Sequence, residues 1–194
     1  MKIKHKRDIS EMRLWQRLNS EVLFTSKWLN VRRDVCRLPS GSVIDDYFVI
    51  EIPDGVTIVA ITRDMEIVLV RQYKHGIGQV VLELPAGNVD PDEDPNVAIN
   101  RELREETGYT ASNIEYVTTI ISKPARMTAR TLVYFATGAV LYGYPEESDQ
   151  EKIETVLVPL EELPLLIAHG MIITETSLAA LLTTWDRLTS KYRK

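Results

Sequence analysis

The sequence predicts an α/β sandwich of the α+β kind, in which strands in mixed order are wrapped by a few helices. Three observations carry this. Short β-branched runs bounded by turn residues follow one another through the first half of the chain. One strongly capped helix interrupts them midway, and two helical patterns close the chain. Strands and helices that fail to alternate regularly argue against a doubly wound parallel fold.

From Ser20 to Ile52 the chain reads as strands: Glu21 to Thr25, Leu29 to Leu38 and Val43 to Ile52, with Pro39-Ser40-Gly41 turning between the last two. Val56 to Thr62 and Glu66 to Tyr73 are two more, joined by Arg63-Asp64-Met65 as a hairpin. Val80 to Leu84 follows and is closed by Pro85-Ala86-Gly87, read as a turn. The first helix then has a capping Asp94, Pro95 in its first position, a last turn at Thr107 and Gly108 just beyond. Ile114 to Ser122 and Thr131 to Val140 return to strand. An acidic loop, Pro145 to Lys152, leads into the strand Ile153 to Pro159. Leu160 to His169 reads as a short helix and Glu175 to Tyr192 as a longer one.

With 194 residues, 44% of them hydrophobic, the chain can bury one good core but not two generous ones. A net charge of -5 argues against a protein built to grip nucleic acid backbone, although a bound cation can still bring an anionic substrate to an acidic surface. Cys36 is the single cysteine and reads as a small buried hydrophobe. The basic start, Met1 to Arg7, is followed by a polar stretch from Asp8 to Asn19 rather than a signal-peptide core, and no run approaches the ~18 apolar residues of a membrane span. The expectation is a cytoplasmic protein with neither nucleic acid nor membrane as partner.

The chemistry concentrates between Gly87 and Tyr109. Glu102, Glu105 and Glu106 stand at i, i+3 and i+4, so all three project from one helical face. Like charges at that spacing destabilise a helix by a few tenths of a kcal/mol each, and near a C-terminus the helix dipole adds to the penalty. A hard divalent cation such as Mg2+ or Mn2+ reverses it, because clustered carboxylates are its preferred ligands. Arg101 is one turn from Glu105 and can orient it. Gly87 lets the backbone turn closely, so that the Ala86 carbonyl could join a metal shell. A solvated, glutamate-rich surface helix is the plainer alternative for any two of these residues.

The complete pattern decides between them. Gly87 is followed after five residues by Glu93, and after seven more by Arg101-Glu102-Leu103, any residue, Glu105-Glu106, any residue, Gly108, and Tyr109 at a position where an aliphatic residue is more usual. Seven fixed letters would match by accident about once in a million such chains. The pattern resembles the signature of the Nudix hydrolases. Flanking segments are similar to the branch that cleaves ADP-ribose and other nucleotide sugars: Val70-Arg71-Gln72-Tyr73-Lys74, where arginine is commoner than Lys74, and Leu82-Glu83-Leu84-Pro85-Ala86-Gly87. Pro124 falls sixteen residues after Gly108, near that branch's marker proline, with Ser122-Lys123-Pro124-Ala125 in place of Ser-Pro-Gly.

The resemblance implies the Nudix fold, a mixed sheet between helices, with residues 1–53 as N-terminal antiparallel strands serving dimerisation and 54–194 as the hydrolase domain of one structural unit. It implies hydrolysis of a nucleoside diphosphate sugar such as ADP-ribose, with Mg2+ or Mn2+ held by Glu102, Glu105, Glu106 and the Ala86 carbonyl. Glu93, Gly87 and Gly108 would shape the motif. Arg101 and Glu105 would serve the catalytic apparatus, Arg101 also pairing with Glu93 to hold loop and helix together. Glu151, in the acidic loop, would be the base. Lys74 and Arg71 are candidates for the phosphates, and Trp28 and Tyr47 for the base, across a homodimer. Two alternatives stay open: a hydrolase of nucleoside triphosphates or dinucleoside polyphosphates, and a module that senses nucleotide sugars without cleaving them.

Overall fold

The computed structural model describes residues 13–145 and 152–189. Two compact units form among them. One reaches to Ile52 and takes in Lys123–Thr128; the other spans Pro53–Ser122 and continues from Ala129.

The first unit is an antiparallel sheet of β1 (Gln16–Thr25), β2 (Asn30–Arg37) and β3 (Val43–Glu51), in that order. β1 begins five residues before the apolar run that betrays it in the sequence. Gln16 and Arg17 show no alternation, yet they pair with Arg37 and Cys36 of β2. The buried Asp34 accepts bonds from Ser20 Oγ (2.6 Å) and Arg32 Nε (3.1 Å), which satisfy a carboxylate that would otherwise be costly to bury. Cys36 is buried in this sheet. Lys123–Thr128 seats itself on β3: the Ile50 amide donates to the Arg126 carbonyl (2.7 Å) and the Thr128 amide to the Ile50 carbonyl (3.1 Å).

The second unit is built on an eight-stranded sheet. β4 (Gly55–Thr62), β5 (Glu66–Lys74), β10 (Arg130–Leu141) and β11 (Ile153–Pro159) lie in the order β11-β5-β4-β10, continued by β8 (Tyr109–Thr110). β6 (Gln79–Glu83) pairs with β5, β7 (Ala86–Asn88) with β4, and β9 (Ile114–Ile121) with β10. β4 and β10 run parallel; the other pairs are antiparallel. Helix α1 (Pro95–Thr107) covers one face. On the other lie a 3-10 turn (Leu160–Glu162), α2 (Leu163–Ala168) and α3 (Glu175–Thr189).

β4 shows why the sheet needs two covers. Val56, Ile58 and Ala60 pack with Ala98, Ile99 and Leu103 of α1, while Val59 and Ile61 pack with Ala180 and Leu181 of α3. A strand buried on both faces is apolar at every position, as the run Val56 to Ile61 is except at Thr57. Leu103 is fully buried, so its replacement by alanine should cost about 2–5 kcal/mol.

One expectation needs correction, and one strand was not anticipated. Pro85-Ala86-Gly87 is not a free turn, because Ala86–Asn88 forms β7 and pairs with Thr57, Val56 and Gly55. β8, only two residues long, gave no periodic signal at all. Among the described residues, no helix is long and apolar enough to cross a membrane.

Candidate active site

Local chemistry fixes both ends of α1. Asp94 accepts from the Asn96 amide (2.7 Å), and Pro95 follows where its missing N–H is harmless. At the other end Gly108 adopts φ 72° and its N–H bonds to the Arg104 carbonyl (2.8 Å). A Cβ there would also meet the Gly143 carbonyl oxygen at 2.4 Å. The Gly108 carbonyl accepts from the amides of Tyr142 (2.9 Å) and Gly143 (3.2 Å), which pins the end of β10 to the helix. Tyr109 is half-buried against the core cluster beside α1.

The acidic face of α1 lies against β7. Glu106 is 7% exposed and accepts from the Ala86 amide (2.9 Å). Burial pushes its carboxyl up to about 8; the Ala86 bond opposes the shift and the Glu102 charge adds to it. Glu102 is raised as well, chiefly by burial, with Arg101 pulling the other way. Gly87 has no positive φ, so it is not there to turn the chain. A Cβ on it would lie 2.0 Å from Glu102 Cδ and 2.1 Å from Oε1. The missing side chain makes room for that carboxylate.

Arg101 ties the motif together. Its Nε and Nη2 donate to the two oxygens of Glu93 (both 2.9 Å), Nη2 also to the Asn88 carbonyl (3.1 Å), and Nη1 to Glu102 (2.8 Å) and Glu105 (3.2 Å). The Arg101 guanidinium, with a bond from the Asp90 amide, holds the Glu93 carboxyl down at about 2. Glu93, far along the loop, is thereby bound to the helix face that carries the other carboxylates.

The structure separates the remaining candidates. Lys74 lies on the α1 face of β5 and bonds Glu83 Oε1 at 2.7 Å. Arg71, an odd number of residues away, lies on the α3 face, where it is paired with its cross-strand neighbour Glu154 (2.5 Å). Trp28 and Tyr47 belong to the other unit. Trp28 is 63% exposed with Lys27 over its ring. Tyr47 packs edge-on against Trp15, lies under Arg126 and donates its hydroxyl to the Ala125 carbonyl. Glu151 lies outside the described residues. The strand that follows it is placed, however: Ile153 pairs with Gln72, and Thr155 Oγ1 donates to the Thr107 carbonyl (3.3 Å).

Glu83 is not among the motif's carboxylates. It is 8% exposed, accepts from Gln72 Nε2 (2.9 Å) as well as Lys74, and its charge acts on Glu106. The signal was present: a glutamate stands among Val80, Val81, Leu82 and Leu84, where period two puts it on the same face as the buried Val81.

These residues suit a hard divalent cation. Three carboxylates share one helix face, two of them are disfavoured as free anions by burial, and glycine leaves the space a ligand carboxylate needs. Among the described residues no three such groups close on a single point. Glu102 and Glu105 turn to Arg101 and Glu106 to the Ala86 amide, so a cation would draw them from these partners.

A mixed sheet between helices, with a carboxylate-bearing helix closed on a short glycine-containing strand, is an α/β sandwich with a candidate cation site, and comparison with known proteins identifies its family. The NUDIX domain matches residues 52–175, and the nucleoside diphosphate sugar hydrolase N-terminal domain matches residues 15–50. The chain belongs to the Nudix family and is a Nudix hydrolase. It is 33% identical to the ADP-ribose pyrophosphatase of Mycobacterium tuberculosis over 87% of this chain and 82% of that one. It is 30% identical to a CMP-5'-(N-acetyl-N-hydroxy-3-aminopropyl)phosphonate hydrolase of Streptomyces rubellomurinus, over 87% and 81%. A crystal structure of an ADP compounds hydrolase shares the fold with a TM-score of 0.80 at 22% identity, covering 94% of this chain and 98% of that one.

Proposed function

We propose that the protein hydrolyses the diphosphate bond of a nucleoside diphosphate sugar, converting ADP-ribose to AMP and ribose 5-phosphate with Mg2+, for which Mn2+ can substitute. The observation that carries this is the closure of Glu102 and Glu106 on the Ala86–Gly87 backbone, in a chain whose N-terminal segment is of the nucleoside diphosphate sugar hydrolase type. Similarity to an ADP-ribose pyrophosphatase supports the substrate. The cytidine-linked substrate in the other relative's name favours a second reading, in which the same site takes a pyrimidine nucleotide.

Glu102, Glu106 and the Ala86 carbonyl would hold the cations, with Glu105 beside them. The chemistry supplied by cations in that position is neutralisation of the diphosphate and a lowered pKa for an attacking water. Arg101 holds Glu102 and Glu105 on the shared helix face until a cation takes them. Lys74 meets the phosphates from the α1 face of β5, whereas Arg71 is turned from that face and serves its pair with Glu154. Glu151 takes the proton from the water, and Ile153 and Thr155 support that role by holding the start of β11 beside Gln72 and the end of α1. In-line attack on one phosphorus breaks its bond to the bridging oxygen and releases two monophosphates.

The N-terminal sheet is assigned to a homodimer contact, because Val22 and Phe24 of β1 are more than half exposed and such a strand needs a cover. Trp28 is the base-stacking candidate there; Tyr47 already has Trp15, Arg126 and Ala125 as partners. The working compartment is the cytoplasm. A panel of ADP-ribose, ADP-glucose, GDP-mannose, NADH, ATP and a dinucleoside tetraphosphate, each with Mg2+, tests the assignment. ADP-ribose should lead, and preference for ATP or the tetraphosphate would replace it with the triphosphatase reading.

A further inference from the structure

We propose that Glu83 is a positioning residue for the diphosphate, holding the Lys74 ammonium, with the help of Gln72, over the α1 face of the sheet beside the carboxylate cluster. This rests on the diphosphatase reading above. Glu83 and Gln72 are both more than nine-tenths buried, and they come from neighbouring strands whose register sets Val70 opposite Glu83 and Gln72 opposite Val81. A buried carboxylate is tolerated only when paired and hydrogen-bonded, and this one has two donors on Oε1, Lys74 Nζ at 2.7 Å and Gln72 Nε2 at 2.9 Å. The pair is asymmetric: the Glu83 side chain is 10% exposed, the Lys74 side chain 42%. The acid is fixed and enclosed, while the ammonium is open to a ligand.

That asymmetry suits a phosphate contact better than it suits core neutralisation. A lysine stem is flexible, and ordering it costs free energy at the moment of binding. An anchor formed before the substrate arrives removes that cost. An ammonium has three donors, so Nζ can keep its bond to Glu83 while it donates to a phosphate oxygen. The Gln72 amide keeps Glu83 satisfied throughout.

The test is a double-mutant cycle of Glu83→Gln and Lys74→Met, read as KM and kcat for ADP-ribose with Mg2+, with thermal melts alongside. Each single change should raise KM about tenfold. The double variant should be no worse than Lys74→Met alone, because Glu83 reaches the diphosphate only through Lys74. Effects that multiply, or a Glu83→Gln protein with wild-type KM and a lowered Tm, would show Glu83 to be structural only. A lowered KM would mean that Glu83 withholds the lysine. All three overturn the proposal. Should Glu83→Gln fail to fold, Glu83→Asp keeps the charge but withdraws it by one methylene, and it should raise KM in the same way; an unchanged KM there also overturns it. A wild type inactive on every nucleotide sugar would remove the diphosphatase reading itself, whereas an active wild type with multiplying effects removes only the role of Glu83.

Discussion

Gly87→Ala separates the fold from the chemistry. The new Cβ would lie 2.0 Å from Glu102 Cδ, against the 3.4 Å at which ordinary contact begins, so the carboxyl must retreat by about 1.4 Å. It can do so, since it is the far end of a flexible side chain. The backbone of Gly87 is not left-handed, and alanine in a compatible conformation stabilises by about 0.4–1 kcal/mol through the unfolded chain. The melting temperature should therefore hold or rise slightly. Activity should not hold, because a 1 Å misplacement of a group at a reacting centre can cost about a hundredfold, or roughly 2.7 kcal/mol. Steady-state hydrolysis of ADP-ribose with saturating Mg2+, set beside thermal melts, reads both quantities. Wild-type kcat/KM within about threefold would refute the claim that Gly87 exists to admit the Glu102 carboxylate. Collapse of the fold would refute the claim that this carboxylate can yield.

Other outcomes follow from the same geometry. Glu106→Gln keeps size and helix propensity but removes the charge of a proposed ligand, so the rate should fall by about a thousandfold or more; a drop of under about tenfold would mean that Glu106 is no ligand. In metal-free protein the Glu106 carboxyl titrates near 8 when folded and near 4.5 when unfolded. Between these values the folded state binds more protons, so stability should fall as pH rises, by at most ~1.4 kcal/mol per pH unit. Melts of wild type and Glu106→Gln in chelator check the sign, since the wild type should lose stability relative to the variant from pH 5 to 8, and a relative gain would contradict the burial argument. Truncation before Asp54 should abolish dimerisation and weaken nucleoside affinity while Mn2+ binding survives. Light scattering that finds the full-length chain monomeric at micromolar concentration would remove the shared site.

Most strands and all three helices were legible because their signals are local. A β-branched run, Val117 to Ile121, marks β9, and Asp94, Pro95 and Gly108 punctuate α1 at both ends. What escaped depends on partners distant in sequence. β7 is a strand only because β4 lies beside it, and the residues that make it look like a turn, Pro85 and Gly87, have other duties: the Pro85 carbonyl accepts from the Ile58 amide (3.1 Å), and Gly87 clears space for Glu102. Arg71 and Lys74 look equivalent as basic residues at a strand end, yet pleating puts them on opposite faces. Glu83 was visible as an anomaly in an apolar strand, but its meaning required Lys74, Gln72 and Glu106 to be brought around it. The attachment of Lys123–Thr128 to β3 has no local signature, since it joins Ile50 to residues more than seventy positions later.

The central claim, cation-dependent cleavage of a nucleotide sugar at its diphosphate, is tested most directly by identifying products. ADP-ribose is incubated with the protein in Mg2+ and in excess chelator, and the mixtures are resolved by mass spectrometry. The account predicts AMP and ribose 5-phosphate in equal amounts with Mg2+ and neither in chelator. Undiminished turnover in chelator, or ADP and free ribose as products, would contradict it.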